Sequence, residues 1–220
     1  MQTALEEVFR KIPGDKIGIV ETGTFHGTGT TRALYEAAKA TGKSGKFVTI
    51  ECNPERAAEA TKNLAGTGIQ VWTGLTLSYD QLPTVDQIRK QFVDEADTRG
   101  GTIFYDHDPT VRAYNYLAET DFKDVPDGLF VKAILKVKPN VILLDSAGHV
   151  GWKEFQILLD TLAEDPDIFS YPLFLALDDV NHCKHAQTLE YIRNSPEWNI
   201  VSISNDRHGF AVIEYVKPKF

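Results

Sequence analysis

The chain has 220 residues, 42% of them hydrophobic and 25% charged, an ordinary globular composition with enough apolar material for a core. Its 31 acidic residues outnumber 23 basic ones, for a formal net charge of -8, and no basic run offers the counterion release that drives binding to phosphate backbones, which argues against nucleic acid as the main partner. No apolar stretch approaches the roughly 20 residues of a membrane helix, the N-terminal segment lacks a signal-peptide core, and Cys52 and Cys183 are too few for a disulfide framework, so a reduced, cytoplasmic protein with no membrane partner is expected.

Short apolar runs alternate with longer amphipathic stretches. Lys16–Glu21 reads as a strand and Thr28–Ala40 as a helix. Lys46–Glu51 is a second strand, and the helix after it is opened by Pro54 and closed by Gly66. Ile69–Thr73 is a third strand and Val85–Ala96 a helix; Val141–Asp145 and Leu173–Asp178 are two more strands, each followed by a helical stretch. Strands that are apolar throughout belong to a sheet covered on both faces, so the fold class is α/β, Rossmann-like and doubly wound, with a mostly parallel sheet. The whole chain, 1–220, reads as one domain. Asp97–Gly128, with Gly100, Gly101, Pro109, Pro126 and several aromatic residues, fits neither period, and a lid-like, partly helical insertion is expected over about 98–128, after the third strand. The chain ends in two extended runs, Asn199–Ser204 and Phe210–Tyr215, around turn-forming Asn205–Gly209: a β-hairpin that brings in an antiparallel strand.

The first strand runs into Glu21-Thr22-Gly23-Thr24-Phe25-His26-Gly27-Thr28-Gly29. Glycines at a strand-to-helix junction let the backbone approach a ligand and leave helix amides to meet it. Neither the dinucleotide fingerprint G-x-G-x-x-G nor a phosphate-binding P-loop is present: Gly23 and Gly27 are four apart, and the P-loop's first glycine would fall at Ala37. What remains is E-x-G-x-x-x-G with an acid, Glu51, ending the second strand, where a carboxylate can accept hydrogen bonds from both ribose hydroxyls.

Further acids end the later strands: Asp145 after the fourth, Asp178 and Asp179 after the fifth. Converging carboxylates repel unless one is protonated or a cation joins them. A hard, oxygen-seeking ion such as Mg²⁺ would serve, and would acidify a substrate hydroxyl. The alternative is that Asp178 or Asp179 caps a helix starting near Val180.

These motifs together resemble a class I S-adenosylmethionine-dependent methyltransferase over nearly the whole chain apart from the insertion. The resemblance implies a seven-stranded sheet whose last strand is antiparallel. It assigns Glu21, Gly23, Thr24 and Gly27 to the first cofactor motif and Glu51 to the ribose. Trp72-Thr73-Gly74-Leu75 falls where the family lines the adenine, which adds Gly74 and Leu75 to the cofactor residues, and Cys52 is placed beside the adenosine. VILLDSAGHVGWKEF and FLALDDVNHCKH are further similar to the metal-dependent sugar and macrolide O-methyltransferases and to the group of rhamnosyl O-methyltransferases and cephalosporin hydroxylases. That likeness implies Mg²⁺ on Asp145, Asp178 and Asp179, and His149 as the base. The relatives place this histidine three residues after the aspartate; here Gly148 makes it four.

The implied activity is a Mg²⁺-assisted O-methyl transfer from S-adenosylmethionine to a hydroxylated small molecule such as a sugar, a phenol or a natural product. Oligomeric state is not legible, and a homo-oligomer stays open. Two other classes also stay open: an NAD-dependent oxidoreductase or epimerase using the same acid-on-ribose logic, and a non-catalytic nucleotide-binding module. Among the remaining histidines, His182 and His185 read as a half-exposed helix face. His26 is equally suited to the methionine end of the cofactor and to packing. Asp106-His107-Asp108 reads as a solvated turn before Pro109.

Overall fold

In a computed structural model, which describes residues 1–84, 86–87, 90, 124–147, 150–181 and 183–217, the alternation takes shape as a seven-stranded sheet flanked, among the described residues, by six α-helices. The elements are α1 (Gln2–Lys11), β1 (Lys16–Thr22), α2 (Thr30–Ala40), β2 (Ser44–Glu51), α3 (Pro54–Asn63), β3 (Gln70–Thr73), α4 (Leu129–Val137), β4 (Val141–Leu144), α5 (Gly151–Glu164), β5 (Leu173–Asp178), α6 (Ala186–Asn194), β6 (Trp198–Ser204) and β7 (Phe210–Tyr215). Strand order is β3-β2-β1-β4-β5-β7-β6. β1 to β5 pair in parallel, and β7 runs antiparallel to both β5 and β6, as the terminal hairpin requires.

The apolar runs explain the layering. In β1 every residue after Lys16 is buried, and β4 is buried throughout. Successive side chains of a strand leave on opposite faces. Val20, Ile142, Leu144, Leu175 and Leu177 thus enter a core with α4, α5 and α6. Ile19, Val141, Leu143, Phe174 and Ala176 enter a second core with α1 and α2. The helix after β1 starts at Thr30, not Thr28, with Gly29 at its cap. α3 opens as its sequence suggests: Pro54 stands in its first turn, and the Asn53 side chain accepts from the amides of Glu55 and Arg56 at 2.9 and 3.1 Å.

Two helices go beyond the sequence expectations. α1 buries Ala4, Leu5, Val8 and Phe9, two i,i+4 pairs on one face. α4 (LFVKAILKV) buries Leu129, Phe130, Ala133, Ile134 and Val137 and exposes Lys132 and Lys136, a helical face on a run of only nine residues. After β5, no α-helix begins at Val180; a 3₁₀ turn, Cys183–His185, precedes α6.

The helix expected over Val85–Ala96 and most of the insertion lie outside the described residues. The chain on either side of them is stitched together: the Leu75 amide donates to Pro126 O at 2.8 Å, Gly128 to Leu77 O at 2.9 Å and Leu129 to Leu75 O at 3.0 Å. Among the described residues, no helix is long and apolar enough to cross a membrane.

That stitching makes Gly74 obligatory. Its φ is +151°, and a Cβ there would lie 2.3 Å from Pro126 O and 2.7 Å from Leu129 Cδ1. Gly66, at φ +79°, has open space around it. Gly74→Ala should therefore destabilise the fold by about 2 kcal/mol or more, and Gly66→Ala by about 1 kcal/mol, from its backbone conformation alone. Urea denaturation of the two variants measures the difference; equal losses would mean that the close approach at Gly74 is not what selects glycine.

Candidate functional site

The carboxyl ends of the parallel strands open into a cavity of about 520 Å³, within the range of small-molecule sites. One side is walled by the turn after β1 (Gly23, Thr24, Phe25, Gly29, Thr30), by Glu51 and Cys52 at the end of β2, and by Gly74–Thr76 after β3. The other side carries Asp145 and Ser146 after β4, Asp178 and Asp179 at the end of β5, Lys184, and His208 from the β6–β7 turn. This is where an open α/β sheet exposes backbone groups and loops to a ligand.

The glycine turn is pressed against the acidic side. Gly23 has φ +81°, and a Cβ would sit 2.4 Å from Asp145 O, so glycine is needed here for contact between the two turns as well as for approach to a ligand. Glu51 is 5% exposed and held by backbone: its Oε2 accepts from the Phe25 amide at 2.7 Å and its Oε1 from the Asn53 amide at 3.0 Å. Phe25 reaches this position with φ +52°, and its exposed ring lies 5.0 Å beneath the guanidinium of Arg56, another wall residue. The Thr24 hydroxyl is paired with Thr49 at 2.6 Å. Of the segment expected around the adenine, Gly74 and Leu75 reach the wall, whereas Trp72 packs on the core beneath Lys136 Nζ at 4.9 Å.

Two residues assigned to the cofactor take a different position. Glu21 is fully buried and touches no cavity; Thr30 Oγ1 donates to its Oε1 at 2.8 Å and Thr49 Oγ1 to its Oε2 at 2.7 Å. Gly27 is buried against Leu64. Both residues fix the shape of the turn. Thr30 Oγ1 also reaches Asp145 Oδ2 at 3.2 Å, so one hydroxyl ties the turn to the acidic side.

A third buried carboxylate has no counterpart in the sequence reading. Glu154 on α5 is fully buried and accepts hydroxyls from three segments: Thr22 at 2.9 Å, Thr76 at 2.6 Å and Ser146 at 2.6 Å. Burial raises its carboxyl above the usual range, opposed by these three donors. It joins the ends of β1 and β4 to the loop after β3, and Thr76 and Ser146 are both wall residues.

Asp145, Asp178 and Asp179 converge, each offering an oxygen within 4.8 Å of the others. An all-carboxylate donor set suits a hard cation such as Mg²⁺, so these residues fit the ion that the sequence suggests. Neither aspartate of the pair caps a helix, because α6 begins at Ala186 with His185 at its cap. Lys184 enters the same cluster from the 3₁₀ turn: its Nζ lies 2.7 Å from Asp145 Oδ1 and 2.9 Å from Asp179 Oδ2, with its side chain 6% exposed. Burial would lower the ammonium's pKa, but Asp145 and Asp179 outweigh it and hold the group above its ordinary range. Asp145 is itself raised by burial, against the pull of Lys184. Asp178 is pushed up to about 6, by burial first and then by Asp145 and Asp179.

The acidic pair is also pinned from outside. Asp179 has φ +55°; the next two amides, Val180 and Asn181, donate to Gly209 O at 3.3 Å and His208 O at 2.7 Å, and Asn181 Nδ2 donates to Asn205 O at 3.1 Å. His185 is fully buried, with a ring nitrogen 3.1 Å from Leu144 O, and so is not on a half-exposed helix face. His26 Nδ1 pairs with Glu59 Oε2 at 2.8 Å and takes no part in the wall. His149, His182 and Asp106-His107-Asp108 lie outside the described residues. Lys184, Glu154 and His208 are the site residues that the sequence did not single out; the signal available for Lys184 was its place five residues after Asp179, too short a separation to leave the strand end.

No protein-family model and no curated protein matches the chain. Solved structures do. An O-methyltransferase from Bacillus cereus in complex with SAH (S-adenosylhomocysteine) is similar over 98% of this chain and 80% of its own, at 16% identity and a TM-score of 0.52. The SAH-bound Podospora anserina methyltransferase PaMTH1 is similar over 97% and 77%, at 14% identity and a TM-score of 0.50. A methyltransferase from Geobacter sulfurreducens is similar over 98% and 78%, at 10% identity and a TM-score of 0.50. At these identities the likeness is one of fold: this chain has the Rossmann-like, mixed seven-stranded architecture of these methyltransferases.

Glu21 yields a pH test. Burial pushes its carboxyl from 4.5 up to about 7, with the donated hydroxyls working against the shift. The folded chain then binds a proton more readily than the unfolded chain, so this group's contribution to stability is greatest at low pH. It is lost as pH rises from about 4.5 to about 7 and is flat beyond. Between pH 5 and pH 8 the unmutated chain should lose about 2 kcal/mol more than Glu21→Gln. Parallel denaturation curves at several pH values measure this, and superimposable pH profiles would show that Glu21 titrates normally.

Proposed function

We propose that the chain is an S-adenosylmethionine-dependent methyltransferase acting on a hydroxyl of a small molecule, such as a sugar, a phenol or a natural product, with Mg²⁺ assistance. The observation that carries this reading is a single cavity with two unlike sides: a glycine turn and the backbone-held Glu51 on one, and the three aspartates on the other. Its cofactor side belongs to a fold shared with SAH-bound methyltransferases.

The donor supplies an electrophilic methyl group on a sulfonium, and Mg²⁺ on Asp145, Asp178 and Asp179 supplies Lewis acidity to the acceptor hydroxyl. The chain's own residues do the rest. Gly23, Thr24 and Glu51 bind the nucleoside end, with both Glu51 oxygens already oriented by the amides of Phe25 and Asn53. Gly74, Leu75 and Cys52 line the base and ribose. The aspartates, holding Mg²⁺, would position the acceptor hydroxyl opposite the cofactor side of the cavity, and positioning is most of what a displacement of this kind demands of a protein. His149 takes the hydroxyl proton, a role worth about 10² to 10⁴ in rate for a positioned base.

The experiment is a thermal-shift titration with S-adenosylhomocysteine and NADH in separate arms. A ligand at 100 times its dissociation constant adds about 2.7 kcal/mol, which for a chain of this size is about 5 to 10 °C. A shift of that size with S-adenosylhomocysteine alone is expected; a shift with NADH and none with S-adenosylhomocysteine would transfer the site to an oxidoreductase. Once an acceptor is in hand, Asp145→Asn should abolish most methyl transfer, and undiminished turnover by that variant in excess EDTA would remove Mg²⁺ from the reading.

A further inference from the structure

Two of the three proposed Mg²⁺ ligands already hold a cation that belongs to the chain. The Lys184 ammonium lies between Asp145 and Asp179 at 2.7 and 2.9 Å, and among the described residues Asp178 is the member of the trio that it does not bridge. We propose that Lys184 is a built-in competitor for the divalent cation, so that this cluster takes up an exchangeable ion rather than a resident one. The inference rests on the metal part of the function proposed above.

A divalent ion draws its oxygens to about 2.1 Å and needs the same carboxylates that the ammonium engages. Two positive centres sharing one part-buried carboxylate pair repel, and the burial of the Lys184 side chain limits screening by water. Lys184 also reduces the formal charge that attracts the ion: three aspartates carry -3, and with the ammonium the cluster carries -2.

The lysine has no easy retreat. Its side chain is 6% exposed. Its neighbour His185 is fully buried, with a ring nitrogen 3.1 Å from Leu144 O at the end of β4. On the other side, a Cβ added to Gly151 at the start of α5 would lie 2.7 Å from His185 Cε1. The turn carrying Lys184 is thus wedged between β4 and α5, and removing the ammonium from its partners would leave Asp145 and Asp179 uncompensated. The ion therefore has to compete with a wedged ammonium for Asp145 and Asp179, at a cost in affinity.

Mn²⁺ is the probe, titrated into the full chain and read through the electron paramagnetic resonance signal of the unbound ion. Lys184→Met and Lys184→Gln should bind Mn²⁺ about tenfold tighter or more, while Lys184→Arg, which keeps the charge, stays within about twofold of the unmutated chain. Melting curves establish that each variant is folded. Neutral variants that bind no tighter than the unmutated chain would overturn the proposal, as would an absence of binding in every protein at millimolar Mn²⁺. An unmutated chain that holds Mn²⁺ tighter than roughly 10 µM overturns it with no variant at all. The S-adenosylhomocysteine thermal shift, run on the same samples, reports separately on the methyltransferase reading, so either failure is identifiable.

Discussion

Carboxylates brought together at the end of a sheet are unstable neighbours, and the way this chain neutralises them governs the geometry of its whole cavity. The charge of the trio Asp145, Asp178 and Asp179 is offset in part by the ammonium of Lys184, which pairs with Asp145 and Asp179. Because Asp145 follows β4 and Asp179 follows β5, that one side chain also clamps the two strand ends. Asp145 reaches the glycine turn too, through Thr30 and through the contact of its backbone with Gly23. The spacing of the two halves of the cavity thus depends on a buried ion pair and on the glycine that lets the turns touch.

Glu21 and Glu154 solve the same problem differently. Neither has an ion pair among the described residues; each accepts hydroxyl protons, Glu21 from Thr30 and Thr49, Glu154 from Thr22, Thr76 and Ser146. Burial prevails over these hydroxyl donors, and both groups are raised. The gain is positional. Each carboxylate gathers side chains from separate segments, and a network with every member hydrogen-bonded fixes loops that would otherwise be independent.

What the sequence disclosed and what it hid follow one physical division. The apolar runs of β1, β4 and β5, the glycine turn, Glu51 and the acids after β4 and β5 are local patterns, and local patterns survive without coordinates. The pairings are not local. Thr22 meets Glu154 across 132 residues and Lys184 meets Asp145 across 39. Nothing in the spelling of either partner announces the other. Glu21 illustrates the limit well: its place in a familiar motif suggested ligand contact, but nothing in that motif spells out that the carboxylate, near the end of a central strand with both neighbours paired, is held by the hydroxyls of Thr30 and Thr49. The helix α4 did carry a local signal, Lys132 and Lys136 four apart and exposed opposite buried Leu129, Phe130, Ala133, Ile134 and Val137, but nine residues are a short window in which to read it.

The antiparallel end of the sheet belongs to the site for a reason of topology. β7 lies beside β5 with Phe210 opposite Asp178, so the chain enters β7 at the very end where β5 leaves its acids. The turn before β7 must then sit over Asp179, and it does, accepting from the amides of Val180 and Asn181 and putting His208 into the cavity wall. A parallel seventh strand in the same slot would begin at the opposite edge, leaving Asp179 at φ +55° with nothing to hold it. The hairpin is therefore more than a closure of the fold: it is the brace that lets an aspartate in a left-handed conformation present its carboxylate to Lys184.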